Sequence, residues 1–161
     1  MASFDKINYS LRPNKTIERA LVFRGIKALL DSLAISDAVF VGMGSVWFTD
    51  YFIAHRYLGI QDMVSFEVDP VGFARAEFNA PFRTVRVINE LSTDGIVTIK
   101  KLSEYSNRPW VVWLDYDFEL NEVAAEDVRR LAEQAPRGQR RSLRRRRARP
   151  SDSGRLRCRR R

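Results

Sequence analysis

Residues 38–52 read AVFVGMGSVWFTDYF. An apolar run leads into two glycines one residue apart, then a serine, then aromatic residues at helical spacing. "AVFV" fits a short buried strand. The first glycine, Gly42, permits a turn that a β-carbon would obstruct, and the second, Gly44, lets the backbone approach a ligand. Ser45 can cap the helix that follows, "SVWFTDYFIAHRYLG", which Gly59 can end. No Lys-Ser/Thr pair follows the glycines, which excludes a phosphate-cradling P-loop. The pattern is that of a strand turning sharply into a helix.

Downstream, the same alternation repeats. "MVSFEV" reads as a second strand and "DPVGFARAEFN" as a short helix with Pro70 in its first turn. "RTVRVI" reads as a third strand. "GIVTIKKLSEYS" reads as a helix, against the preference of its β-branched residues. "WVVWLDYD" is a fourth strand, apolar throughout as expected of a strand covered on both faces, and "AAEDVRRLAEQA" is a helix. Upstream, Asn14 or Thr16 can cap a helix over Thr16 to Ser32, whose apolar face is formed by Ile17, Leu21, Ile26, Leu29, Leu30 and Leu33. Strands alternating with helices four times indicate an α/β fold with a parallel sheet.

The second strand ends "SFEVDP", which puts Glu67 23 residues after Gly44. In a parallel sheet the carboxyl ends of neighbouring strands lie together, and ligands sit there at the topological switch point. A carboxylate at the tip of strand two can accept hydrogen bonds from both hydroxyls of a ribose. Asp69 is a nearby competitor, although its place before Pro70 suits a helix cap. At the end of strand four, Asp115 and Asp117 are two residues apart and on an extended backbone point the same way. They can hold a metal or an acceptor hydroxyl, cap a following helix, or be solvated.

Other chemistry-bearing residues have plainer readings. His55, the single histidine, sits near a helix end where its charge suits the dipole. Trp47, Phe48, Tyr51 and Phe52 are expected to pack their helix on the sheet. Arg12 and Lys15 can bind an anion or line a solvated turn.

Of the 161 residues, 28 are Lys or Arg and 20 are Asp or Glu, a net charge of +8. The excess is confined to the end of the chain. Residues 137–161 carry 13 arginines and one aspartate, whereas residues 1–136 carry 15 basic and 19 acidic residues. This gives a domain over 1–136 and an arginine-rich tail over 137–161, which lacks the apolar surface to offset its ordering entropy and is expected to be disordered. The tail can contact phosphates strongly but without sequence preference, since it has no aromatic residue to stack on bases. The lone cysteine, Cys158, excludes an internal disulfide and a cysteine-based metal centre. No metal is expected, and neither is a membrane span or signal peptide; the simplest localisation is cytoplasmic.

The order of these elements resembles the class I S-adenosylmethionine-dependent methyltransferases, and more narrowly the bacterial O-methyltransferases. The resemblance rests on "RPNKTIER" before the first helix, "VGMGSVWFTDY", "SFEVDP", "FNAPF" before strand three and "WLDYD" at strand four, and covers about residues 8–136. It implies a Rossmann-like sheet, S-adenosyl-L-methionine as cofactor and a small-molecule methyl acceptor. Gly42, Gly44 and Ser45 would line the methionine part of the cofactor, Glu67 would hold the ribose, and Asn89 or Glu90 would sit near the adenine. Asp115, with Asp117, would face the cofactor amine or the acceptor. The chain departs from the pattern at Phe40, where many members carry an acidic residue, and in lacking a third glycine. These departures favour a non-catalytic binding domain as the alternative, with a nucleic-acid binder acting through the tail as a third.

By the same resemblance the strand order would be three, two, one, four, leaving strand four at an open edge. A complete sheet of this class usually has seven strands, and only four precede the arginine run. Arginine-dense text with scattered Pro, Gly, Ser and Ala is what a shifted reading frame in GC-rich DNA produces. Residues from about 138 onward are therefore expected to be an aberrant end. That would leave much of the acceptor half missing, and the chain poorly soluble and inactive.

Overall fold

The computed structural model describes residues 13–43, 46–116 and 121–134. Gly44, Ser45, Asp117 and the arginine-rich residues 137–161 lie outside them.

Helix α1 (Pro13–Ser32) leads to β1 (Val39–Met43), and α2 (Thr49–Ile53) continues as a π-helical turn over Ala54–Leu58. Then come β2 (Met63–Phe66), α3 (Pro70–Asn79), β3 (Val85–Ile88), α4 (Ser92–Lys101), β4 (Trp110–Trp113) and α5 (Glu122–Gln134). The four strands form one parallel sheet in the order β3-β2-β1-β4. Phe23 and Leu30 of α1, Tyr51 of α2 and Ala76 of α3 pack with Phe40, Met63 and Val85 on one face of the sheet. Ile96 and Ile99 of α4, with Leu131 of α5, pack with Val39, Val41, Val64 and Phe66 on the other. This is the expected Rossmann-like α/β arrangement, with alternate residues of each strand feeding opposite cores.

Several local expectations hold for identifiable reasons. The Asp69 carboxylate caps α3 by accepting from the Gly72 N–H at 2.7 Å, and Pro70 begins the helix. Gly59 closes the π turn in the left-handed region, at φ 75°. In α4 a β-carbon at Gly95 would overlap the Phe66 ring, so this glycine lets the helix settle onto β2.

Other expectations are corrected. β1 runs on through Gly42 to Met43, so Gly42 is a strand residue rather than the start of the turn. Helix α2 begins at Thr49, and Phe48 precedes it in the left-handed region, at φ 48°. Phe48 and Tyr51 are buried as expected, but Trp47 and Phe52 are exposed. The four residues of β4 are each only half-buried, because β4 is an edge among the described strands.

The largest correction concerns α1. Of the expected face, Leu30 is buried and Ile26 packs against the core beside Phe23 and the buried Arg19, while Ile17, Leu21, Leu29 and Leu33 face solvent. The helix carries apolar residues on two sides, and the less obvious side meets the sheet.

Candidate functional site

With all four strands parallel, the segments following β1, β2, β3 and β4 meet at one edge of the sheet. α1 is joined to β1 by a short connection and runs back across the sheet, which brings its first turns to the same edge. Lys15 Nζ lies 3.9 Å from Asp115 Oδ1 after β4, and 3.4 Å from Glu18 Oε2.

Glu67 is the first residue after β2, and its N–H extends the ladder by donating to the Ile88 carbonyl at 3.1 Å. Its half-buried carboxylate accepts through Oε1 from the Asp69 N–H at 3.0 Å. Burial holds this carboxyl above the ordinary glutamate range, an effect that the backbone N–H donors partly offset. Asn89, after β3, donates from Nδ2 to the carbonyls of Glu67 at 2.7 Å and Val68 at 3.2 Å. It therefore staples the tips of β2 and β3 together. Glu90 accepts from Thr98 Oγ1 at 2.8 Å, which ties it to α4. Glu67, Asn89 and Glu90 are thus neighbours across the strand ends, with part of their hydrogen-bonding capacity spent on the fold.

Gly42 faces the α1–α2 side of the sheet. A β-carbon there would lie 2.8 Å from the Trp113 carbonyl oxygen and 3.3 Å from the Tyr51 hydroxyl. Close approach of two backbones is what this glycine permits. Phe40, on the same face, is fully buried, with its ring edge-on to Tyr51 at 5.0 Å and 6.1 Å from Phe23. Tyr51 donates to the Val64 carbonyl at 3.0 Å. Burial raises its hydroxyl pKa well above the ordinary tyrosine value.

Two charged clusters at this edge were not evident in the sequence. Arg19 and Asp50 form a buried ion pair, with Nε 2.6 Å from Oδ1, that clips α1 to the first turn of α2. On the opposite face Asp127 of α5 is fully buried and accepts from both Ser92 Oγ and Tyr116 OH. Tyr116 follows Asp115, so Asp127 fixes the segment leaving β4 against the start of α4. Burial, then the bond to Asp127, pushes the Tyr116 hydroxyl pKa well up. Each cluster joins residues far apart in sequence, so no local pattern marks it.

His55 sits in the π turn with its ring 4.0 Å from that of Phe82 and Nδ1 3.2 Å from the Ile60 carbonyl. An open groove of about 600 Å³ runs along the outer edge of β3, with Asp62, Glu77, Arg83, Thr84, Arg86 and Tyr105 among its walls. Asp62 and Thr84 precede their strands, so the groove reaches toward the end of the sheet away from Glu67. Its charges are of mixed sign and none has a shape or partner that selects a ligand. Among the described residues, no group of three or more His, Cys, Asp or Glu side chains could hold a metal ion. No helix among them is long and apolar enough to cross a membrane.

The edge therefore presents a glycine-containing strand end, a half-buried acid on the next strand, and an acid with a lysine beside it after β4. No curated protein matches the chain. A family model described as "Putative O-methyltransferase" matches residues 7–142. With most of its length covered by that match and a parallel sheet of the corresponding order, the chain belongs to this O-methyltransferase family.

Proposed function

We propose that the domain binds S-adenosyl-L-methionine across the carboxyl ends of β1 and β2 and transfers its methyl group to a hydroxyl of a small-molecule acceptor. The observation that carries this reading is Glu67, a half-buried carboxylate at the tip of the strand next to the glycine-containing β1. A buried acid costs stability. A carboxylate kept there, with only part of its accepting capacity used by the chain, fits a ligand with two adjacent hydroxyls.

The donor, when bound, supplies a methyl group already activated on a sulfonium, so the protein's task is chiefly positioning. Glu67 holds the ribose diol. Asn89 and Glu90 shape the adjoining wall, where an adenine would lie, with Asn89 keeping the tips of β2 and β3 in register. Gly42, with Gly44 and Ser45 after it in sequence, lines the methionine part. Asp115 and Asp117 are assigned to the acceptor: a carboxylate there can orient the hydroxyl and take its proton at an Oδ atom. Lys15 Nζ, 3.9 Å from Asp115 Oδ1, places a cation beside that carboxylate.

Calorimetric titration of S-adenosylmethionine into wild type and Glu67→Ala tests the assignment. Loss of the carboxylate should cost about 1–3 kcal/mol of affinity, the scale of hydrogen bonds to a charged group. Unchanged affinity would place the ribose elsewhere.

A further inference from the structure

Arg19 is only 5 % exposed, yet its hydrogen bonding is incomplete. Nε donates to Asp50 Oδ1 at 2.6 Å and Nη2 to Asp50 Oδ2 at 3.4 Å. One edge of the guanidinium is thereby used. Nη1, on the other edge, is buried and has no hydrogen-bond partner. A guanidinium has five N–H donors in a rigid plane and stays charged, so the second edge is a fork matched to a carboxylate.

A second buried N–H donor on this face of the sheet, Trp113 Nε1, is also without a partner. The Trp113 ring packs at 5.5 Å from Phe23, one turn after Arg19 on the same face of α1. The Trp113 carbonyl is the atom that Gly42 makes room for. Arg19 reaches Asp50 at the start of α2, and the Trp113 ring reaches Phe23 of α1, so the two donors belong to the same face of the sheet. Buried polar groups are ordinarily satisfied; Ser65 Oγ and Asp127 Oδ1 are also buried without a partner, but these two are N–H donors on elements that border the donor end of the site, and each calls for an acceptor. Asp50 neutralises Arg19 in the resting protein, and it does so from the first turn of α2, next to Tyr51, whose hydroxyl lies near Gly42. The pair is thus anchored to the glycine-containing end of β1, on the donor's side of the site rather than the acceptor's.

We propose that Arg19, held in place by Asp50, binds the α-carboxylate at the amino-acid end of the methyl donor, with Trp113 Nε1 as an additional donor. This rests on the reading of the edge as an S-adenosylmethionine site. It adds the group that would distinguish the intact donor from adenosine compounds without an amino acid.

The test compares two probes by calorimetry on the full chain: S-adenosylhomocysteine and its decarboxylated analogue, which keeps the adenosine, the thioether and the amine. Wild type should bind the carboxylate-bearing probe about 10- to 100-fold more tightly, as expected for charge-assisted hydrogen bonds. Arg19→Met should bind both alike. Arg19→Lys keeps the charge but not the fork, and should retain a reduced preference even if the Met variant does not fold. Equal binding of the two probes by wild type would overturn the proposal while leaving the donor site standing, and so would a preference that survives undiminished in Arg19→Lys and Arg19→Met. Binding of neither probe by wild type would overturn both this proposal and the donor site.

Discussion

Replacing Gly42 with alanine probes the point where the sheet and the candidate site share one residue. The new β-carbon would lie 2.8 Å from the Trp113 carbonyl oxygen, whereas ordinary contact begins near 3.4 Å. That oxygen is backbone, in a strand paired residue by residue with β1 from Val39↔Trp110 to Gly42↔Trp113. It cannot swing aside as a side chain would. The Tyr51 hydroxyl at 3.3 Å is committed to the Val64 carbonyl. β4 must therefore be pushed outward by roughly half an ångström, an overpacking worth about 1–3 kcal/mol. The lower entropy of the unfolded alanine chain returns roughly 0.5–1 kcal/mol. The net loss is roughly 1–2 kcal/mol, a fall in Tm of roughly 3–8 °C for a domain of this size. Gly25 supplies the control: it lies inside α1 with nothing within 4 Å of its β-carbon position. Gly25→Ala should gain roughly 0.5–1 kcal/mol. Thermal unfolding of the full chain, followed by circular dichroism, should thus move in opposite directions for the two substitutions. Wild-type Tm in Gly42→Ala, together with weakened donor binding, would refute the packing argument and make the glycine a ligand contact alone.

Three further outcomes follow from other residues. Ala34 closes α1 at φ 53°, with Ile35 N–H bonded to the Leu30 carbonyl and Ala34 N–H to that of Asp31; Ala34→Gly should stabilise the protein by about 1 kcal/mol in chemical denaturation. Asp127→Ala leaves the Ser92 and Tyr116 hydroxyls without their buried acceptor and should cost about 2–3 kcal/mol, while Asp127→Asn, which keeps an acceptor oxygen, should cost less. Burial raises the Glu67 pKa, so the folded protein binds that proton more tightly than the unfolded chain, and ionisation costs stability as pH rises through the folded-state pKa. Glu67→Gln should therefore be more stable than wild type at pH 7, with the gain disappearing below the ordinary carboxylate range; a gain of equal size at every pH would contradict the assignment.

The alternation of strands and helices was legible because each strand is a short apolar run bounded by turn residues. The strand order came from the resemblance, since no local pattern encodes which strands pair. The Asp69 cap was legible for a local reason: acceptor, proline and helix are adjacent in the chain. Helix α1 misled because periodicity measures how apolar residues are spaced, not which of two apolar stripes finds the sheet. The side that meets the sheet also carries Arg19, whose partner Asp50 is 31 residues away. The Asp127 cluster likewise depends on α5 packing against α4 and on the segment after β4. The position of Glu67 at the tip of β2 was legible because it depends on one strand end; Asn89 could be placed after strand three, but not its bonds to the Glu67 and Val68 carbonyls. Gly42 was read as the start of a turn, whereas it is a strand residue whose β-carbon would meet the Trp113 carbonyl from across the sheet, a contact that no local pattern shows.

The most direct test of the proposed donor site is an experimental structure of the full chain with S-adenosylhomocysteine. The account predicts the nucleoside over the carboxyl ends of β1 and β2, with both ribose hydroxyls within hydrogen-bonding distance of the Glu67 carboxylate. A ligand seated in the groove along the outer edge of β3, or a ribose bound with Glu67 turned away from it, would contradict it.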